Sequence, residues 1–318
     1  MLKIKNLILF FFVLVFVANS NVVAQIAETV KTTPSVSDTT KSLLWEITGK
    51  DLTKPSYLYG TIHMIPKQDF FLTDETKKAI AASQKVTFEI NMKDMSNPMA
   101  LMGVMMKAMM PNGMRLRDLV TTEDYALVKN RFDSIGMPLA MLERVKPMFL
   151  SAMVDGGGGM NPMDSSEEAK ANQKTVSYEF EIMNIAEKQK KDFGGLETMA
   201  FQMGIFDSIP YKVQAEMLVK AIKGGAKEGN SEFAKMVEMY KSQDIESMSQ
   251  IMSGDDTEGL GQYESMLITS RNLNWIPLMA KSMKDKQTFF AVGAGHLGGK
   301  KGVVNLLRKE GYTVKPLK

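Results

Sequence analysis

Two short β-like runs, one near each end of the sequence, pass into a glycine turn that ends in histidine. Ser56-Tyr57-Leu58-Tyr59 leads into Gly60-Thr61-Ile62-His63, and Thr288-Phe289-Phe290-Ala291-Val292 leads into Gly293-Ala294-Gly295-His296. The 318-residue chain has only two histidines, and both close a Gly-x-x-His frame. A strand, a glycine turn and then a polar side chain is how α/β folds present chemistry at the carboxyl ends of their strands. Sequence-distant strands sharing one sheet would bring His63 and His296 together. The matching frames also suit an internal duplication, but no other repeat accompanies them.

The remaining pattern fits that arrangement. Strands are predicted at 43–47, 56–59, 85–90, 191–197, 288–292 and 312–315, with helices at 76–84, 178–189, 199–206, 210–222, 231–240, 245–252, 261–283 and 297–309. Strands cluster toward the two ends, and residues 97–155 read as helix throughout. The predicted fold is α/β (α+β): a central mixed sheet with Gly-x-x-His strand ends, flanked by helices and a Met-rich helical cap. One domain over residues 42–318, with a helical insertion at about 97–155, accounts for the pattern without a second boundary.

The amino terminus reads as an address. Lys3 and Lys5 precede an apolar run at 7–18, and Val22-Val23-Ala24 is a small-residue cleavage pattern, so residues 1–24 read as a secretory signal peptide and 25–41 as a flexible leader. The expected location is exported, periplasmic or secreted. With Lys3 and Lys5 removed, 39 basic against 36 acidic residues leave a net charge of about +1. That balance gives no footprint for nucleic acid or an anionic membrane surface. No later stretch is apolar enough to span a membrane. The chain has no cysteine, which excludes disulfides, thiolate catalysis and thiolate metal ligation.

Methionine is abundant, 28 of 318 residues. Met102, Met105, Met106 and Met109 fall at i, i+3, i+4 and i+7, one stripe of a helix. The leading reading is a filler of irregular helical core; a pliable surface for apolar peptide side chains and a soft-metal site for an ion such as Cu(I) stand beside it. The run Gly156-Gly157-Gly158-Gly159 reads as a mobile loop, since no Gly-Lys-Ser/Thr follows it as a phosphate loop requires.

Two imidazoles at strand ends, with carboxylates at Glu89, Glu179 and Glu197, suit a divalent metal, with Mn, Co, Fe or Zn fitting mixed nitrogen and oxygen ligation. Such a metal lowers the pKa of its bound water, which permits hydrolysis without a Ser or Cys nucleophile. On this reading His63, His296, Glu89 and Glu179 are the metal ligands, a carboxylate at Glu89 or Glu197 is the general base, and Arg271 or Asn272 steadies the oxyanion. Gly60 and Gly293 form the turns. Each group also has a structural reading: a histidine can merely hold its turn, and an arginine inside a long helix is usually solvated or bridging.

These residues carry a family resemblance. Trp45 to Met64, including Tyr57-Leu58-Tyr59-Gly60-Thr61-Ile62-His63, resembles the opening of the TraB/GumN family, which includes the Tiki metalloproteases. Gly195-Leu196-Glu197-Thr198, Arg271-Asn272 and Val292-Gly293-Ala294-Gly295-His296-Leu297 follow in the family's order. The resemblance implies a fold similar to the ChaN and erythromycin-esterase group, with paired sheet halves around a cleft. It further implies a divalent-metal-dependent protease acting on a peptide or protein amino-terminal segment. By position it matches His63 and His296 to the motif histidines, Glu89 to the acidic strand residue, and Arg271-Asn272 to the polar pair. Where the family often shows Gly-x-Asp, this chain has Ser177-Tyr178-Glu179. The expected function is thus an exported metal-dependent peptidase, with a non-catalytic periplasmic peptide- or heme-binding protein as the alternative.

Overall fold

The computed structural model describes residues 41–155, 175–253 and 263–318. The residues read as a signal peptide, nearly all of those read as a leader, and the glycine run at 156–159 lie outside the described residues.

Strand β1 (Leu44–Thr48) turns through Gly49, Lys50 and Asp51, all in the left-handed region, into β2 (Ser56–Thr61). The two pair antiparallel as the hairpin pattern predicts, with Trp45 opposite Leu58. A short β3 (Ile65–Pro66) follows, then helix α1 (Asp74–Ala82), whose N-cap Thr73 accepts from the Thr76 amide, and β4 (Lys85–Ile90). The helical insertion supplies α2 (Pro98–Ala108), α3 (Thr122–Ser134) and α4 (Pro147–Asp155). Next come β5 (Thr175–Val176), α5 (Tyr178–Lys188), β6 (Asp192–Glu197) and α6 (Met199–Ile205). The chain closes with α7 (Tyr211–Lys241), α8 (Ile245–Ser253), α9 (Ser270–Asp285), β7 (Thr288–Gly293), α10 (Val303–Lys309) and β8 (Thr313–Leu317).

Six strands form one mixed sheet in the order β6-β4-β7-β2-β1-β8. Strands β6, β4, β7 and β2 run parallel, so their carboxyl ends share one edge, and β1 and β8 extend the sheet antiparallel. The late strand β7 inserts between β2 and β4, with Thr61 opposite Gly293. Both Gly-x-x-His segments therefore leave neighbouring parallel strands at the same end. The mixed α/β fold with helices around a central sheet is the predicted one, and the core of the sheet and its helices is continuous with that of the insertion, where Val104, Val128 and Phe149 pack.

Several expectations change. The helices predicted at 210–222 and 231–240 are one 31-residue helix, on which α3 and α4 pack. The helix predicted from 297 begins at Val303, because Gly298, Gly299 and Gly302 carry the chain through a turn in close backbone contact with α8 and with itself. The methionine stripe does not fill core: Met102, Met105, Met106 and Met109 are exposed, and the buried side of α2 is made by Val104 and Ala108. Periodicity groups the methionines on one face of a helix without saying which face is covered. Among the described residues, no helix is long and apolar enough to cross a membrane.

Candidate functional site

The carboxyl ends of the parallel strands deliver the site. β2 continues through Thr61 to His63, and the antiparallel pairing of Ile65 with Val176 brings the start of α5 alongside. Glu179, in the first turn of that helix, reaches back: its Oε1 accepts from Thr61 Oγ1 at 2.7 Å and pairs with His63 Nδ1 at 2.9 Å, while Oε2 accepts from Ser177 Oγ at 3.0 Å. Burial opposes charge on this pair, yet the partnership prevails. The His63 imidazole is lifted above its ordinary value by the Glu179 carboxylate, and Glu179 is held below the usual carboxylate range by His63 and Thr61.

Behind this pair lies a buried network centred on Arg271. A π-helical stretch, Ser265–Thr269, runs into α9, and Arg271 Nη1 donates to the Leu267 carbonyl at 3.0 Å. Its Nε and Nη2 donate to Glu197 Oε1 and Oε2, each at 3.0 Å, a bidentate fork, and Nη2 also pairs with Glu89 Oε2. Glu89 Oε1 accepts the Gly293 amide at 2.9 Å. Burial works against an ionised Glu89, but the Arg271 charge, the two imidazoles and the Gly293 N–H together hold its pKa far below the usual range. Glu89 is buried, so the face of β4 that carries Thr87 and Glu89 lies inside along with the face of Val86, Phe88 and Ile90.

His296 completes the network. An arginine N–H only donates, so the contact of Arg271 Nη1 with His296 Nε2 at 3.1 Å requires an unprotonated Nε2. The ring proton then sits on Nδ1 and is donated to Asn272 Oδ1 at 2.6 Å. The Asn272 amide is oriented in turn by the carbonyls of Lys301 at 2.9 Å and His296 at 3.3 Å. Burial and the neighbouring guanidinium push the His296 pKa down to about 3. The imidazole is a neutral acceptor with both nitrogens engaged.

This geometry corrects the metal assignment. Among the described residues, no group of three or more His, Cys, Asp or Glu side chains is placed to hold a metal ion. His63, His296, Glu89 and Glu179 are near one another, but a fixed cation, the Arg271 guanidinium, stands between His296 and Glu89, whose nearest approach is 3.9 Å. Glu89, Glu179 and His296 are further engaged by Gly293, by Thr61 and Ser177, and by Asn272. A Mn, Co, Fe or Zn centre does not fit this donor set, and the divalent-metal-dependent peptidase chemistry goes with it. The two Gly-x-x-His frames are not equivalent either. In register Gly60 opposes Val292, and one histidine faces a carboxylate while the other faces an arginine.

Sequence reasoning missed three members of the network. Gln202 Nε2 bridges Glu89 and Glu197 at 3.0 Å each, Trp275 Nε1 donates to Glu197 Oε1 at 2.8 Å, and Thr61 holds Glu179. Trp275 was within reach, one helical turn beyond Arg271, and its ring packs on His296 at 4.5 Å. Gln202 left no such signal.

A pocket of about 20 Å³ opens in front of the network. His63, Glu89, Ser177 and Glu179 give it a polar side, and Met64, Phe88 and Phe180 are among its apolar walls. A single water-sized group needs roughly 10–15 Å³ by this measure, so the pocket admits one small group such as an ammonium or a methyl.

Fold and site together define an α/β protein with a small carboxylate-lined pocket at the ends of four parallel strands, backed by a buried guanidinium–carboxylate network. The TraB/PrgY/gumN family matches residues 43–316, and the chain belongs to that family. Relatives align at low identity. Metalloprotease TIKI2 of Danio rerio is 23% identical over 318 residues, covering 86% of this chain and 60% of the relative. Metalloprotease TIKI1 of Homo sapiens is 24% identical over 317 residues, covering 86% and 61%. The Metalloprotease TIKI homolog of Nematostella vectensis is 23% identical over 333 residues, covering 87% and 67%. The chain thus spans about 60% of the length of the first two. No solved structure matches the chain.

Proposed function

We propose that this chain is a non-catalytic peptide-binding member of its family, which captures the cationic end of a peptide, its amino-terminal ammonium, in the pocket beside Glu179. The observation that carries this reading is the pairing of a small pocket with carboxylates kept ionised. Glu179 and Glu89 both line it, and both are held below the usual carboxylate range by their neighbours. A carboxylate oxygen can accept more than one hydrogen bond, so Glu179 Oε2 can take an incoming N–H beside the Ser177 hydroxyl. The relatives' name, metalloprotease, denotes proteins that act on polypeptides, which supports a polypeptide ligand here, without the metal.

Heme is the other ligand of the binding reading; the pairing of the His63 Nδ1 with Glu179 and the carboxylates that line the pocket favour a cationic end instead. In this proposal Glu89, Glu197, Arg271, Asn272 and His296 hold the pocket floor in shape, and Gly60 and Gly293 let the two strand ends approach. The protein is exported in this proposal, a reading supported by the signal-like pattern of residues 1–24, and its fold is like that of the ChaN and erythromycin-esterase proteins, a reading supported by the family resemblance.

The test is calorimetric binding of peptide pools, each with free and with acetylated amino termini, together with mass spectrometry of the peptides after long incubation. Acetylation should weaken binding about 10- to 100-fold, the worth of one charged hydrogen bond, and Glu179→Gln should erase that difference. Peptides should come back intact. Binding indifferent to acetylation, or cleavage that a chelator stops, would overturn the proposal.

A further inference from the structure

We propose that the exposed methionines of α2 form a binding site for a soft monovalent cation, Cu(I) or its redox-inert analogue Ag(I), separate from the pocket. The 11-residue helix has four methionines, and a fifth, Met109, caps it. Met99, Met102, Met105, Met106 and Met109 are exposed by 78%, 60%, 53%, 68% and 40%. Among the described side chains of α2, every large exposed apolar one is a methionine. Leucine would present apolar surface as well but has no ligating atom, whereas each of these methionines adds a sulfur donor. The constant feature of this face is the thioether.

The spacing is what a chelate requires. Residues three and four apart on a helix have Cβ atoms about 5–6 Å apart on one face. Met102 neighbours Met105 and Met106, and Met109 neighbours the same two, so four side chains form a closed quadrilateral on one surface. Each has three rotatable bonds and a polarizable sulfur, enough reach for two or three sulfurs to converge on one ion. Thioethers select soft cations such as Cu(I) over hard divalent ones. The first turn holds no acidic residue, and the chain has no cysteine to compete for such an ion. On the buried side, Val104 and Ala108 anchor the helix, so its outer face stays in place without the metal.

The test uses the full chain labelled with methyl-¹³C methionine and titrated with silver nitrate in chloride-free buffer, read by calorimetry and by methyl resonances. Cu(I) affinity follows from competition with a chromogenic chelator. The variant Met102→Leu/Met105→Leu/Met106→Leu/Met109→Leu keeps volume, apolarity and helix propensity while deleting the sulfurs. Should that variant fold poorly, the pair Met102→Leu/Met106→Leu replaces it. The methyl signals lost in the variant should be those that move first with Ag(I), and affinity should drop about tenfold or more. Met141→Leu, another strongly exposed methionine outside α2, should leave binding unchanged. Equal stoichiometry and affinity in wild type and the leucine variants, or no Ag(I) binding at all, would overturn the proposal. Retention of a hydrophobic partner by both forms without Ag(I) binding would instead mark the face as an apolar docking surface.

Discussion

Arg271 donates to His296 Nε2 across 3.1 Å, so the buried motif histidine faces a permanent cation. The same guanidinium holds Glu89 and Glu197 together. A side chain that spacing alone placed as an oxyanion stabiliser is the keystone on which the strand ends close.

Removing that keystone leaves two buried carboxylates without their counter-charge. Arg271→Met should cost about 3–5 kcal/mol of stability, read from urea denaturation midpoints. Arg271→Lys should recover only part, because an ammonium cannot reproduce the fork onto Glu197 while reaching Glu89. A loss below about 1 kcal/mol for the methionine variant would show that the network is solvated rather than buried.

A chain whose donor atoms are committed this way should not respond to divalent metals. Stoichiometric Mn(II) or Zn(II) should leave the thermal midpoint unmoved, since a ligand stabilises only by binding the native state. A rise of several degrees, absent from a His63→Ala/His296→Ala variant, would restore the metal assignment.

The pH dependence has a definite sign. The folded-state pKa of His296 is pushed down to about 3 from 6.5, so below 6.5 the unfolded chain takes up a proton that the folded one refuses. Stability should fall as pH is lowered from 6.5, with a limiting slope of about 1.4 kcal/mol per pH unit. Between 6.5 and 4.5 this slope belongs to His296. His63, with its pKa raised, contributes fully below 6.5 and loses its contribution as pH rises through its folded value, while Glu89 and Glu179 add acid sensitivity only below 4.5. Denaturation of His296→Gln across the same range should show the slope flattened; an unchanged slope would place the titration elsewhere.

Gly60 is needed for contact rather than conformation. A Cβ there would sit 3.0 Å from both Ala294 Cβ and Leu297 Cδ2. Gly60→Ala should cost about 1–3 kcal/mol by overpacking. Combining it with Ala294→Gly should give less than the sum of the two single losses in a double-mutant cycle. Strict additivity would mean that the first frame is not the seat of the second.

Much of the fold was legible because it rests on local rules. The strands at 43–47, 56–59 and 85–90 and the helix at 76–84 each follow from patterns that act over a few residues. The methionine stripe was legible as a helix face but not as an exposed one, since periodicity says which residues share a face and not which face is covered. The same limit hid the burial of Glu89.

The sequence by itself determined the strand ends, the two histidine frames, the family, and the residues that would meet: His63, Glu89, Glu179, Glu197, Arg271, Asn272 and His296. It did so because strand, turn and helix signals are short-range. Only the tertiary structure decided how those groups divide their hydrogen bonds. The insertion of β7 between β2 and β4, and the π-helical entry into α9, set Arg271 between carboxylate and imidazole. Whether a ring of donors closes on a metal or on a guanidinium depends on long-range packing that residue types and spacing do not encode.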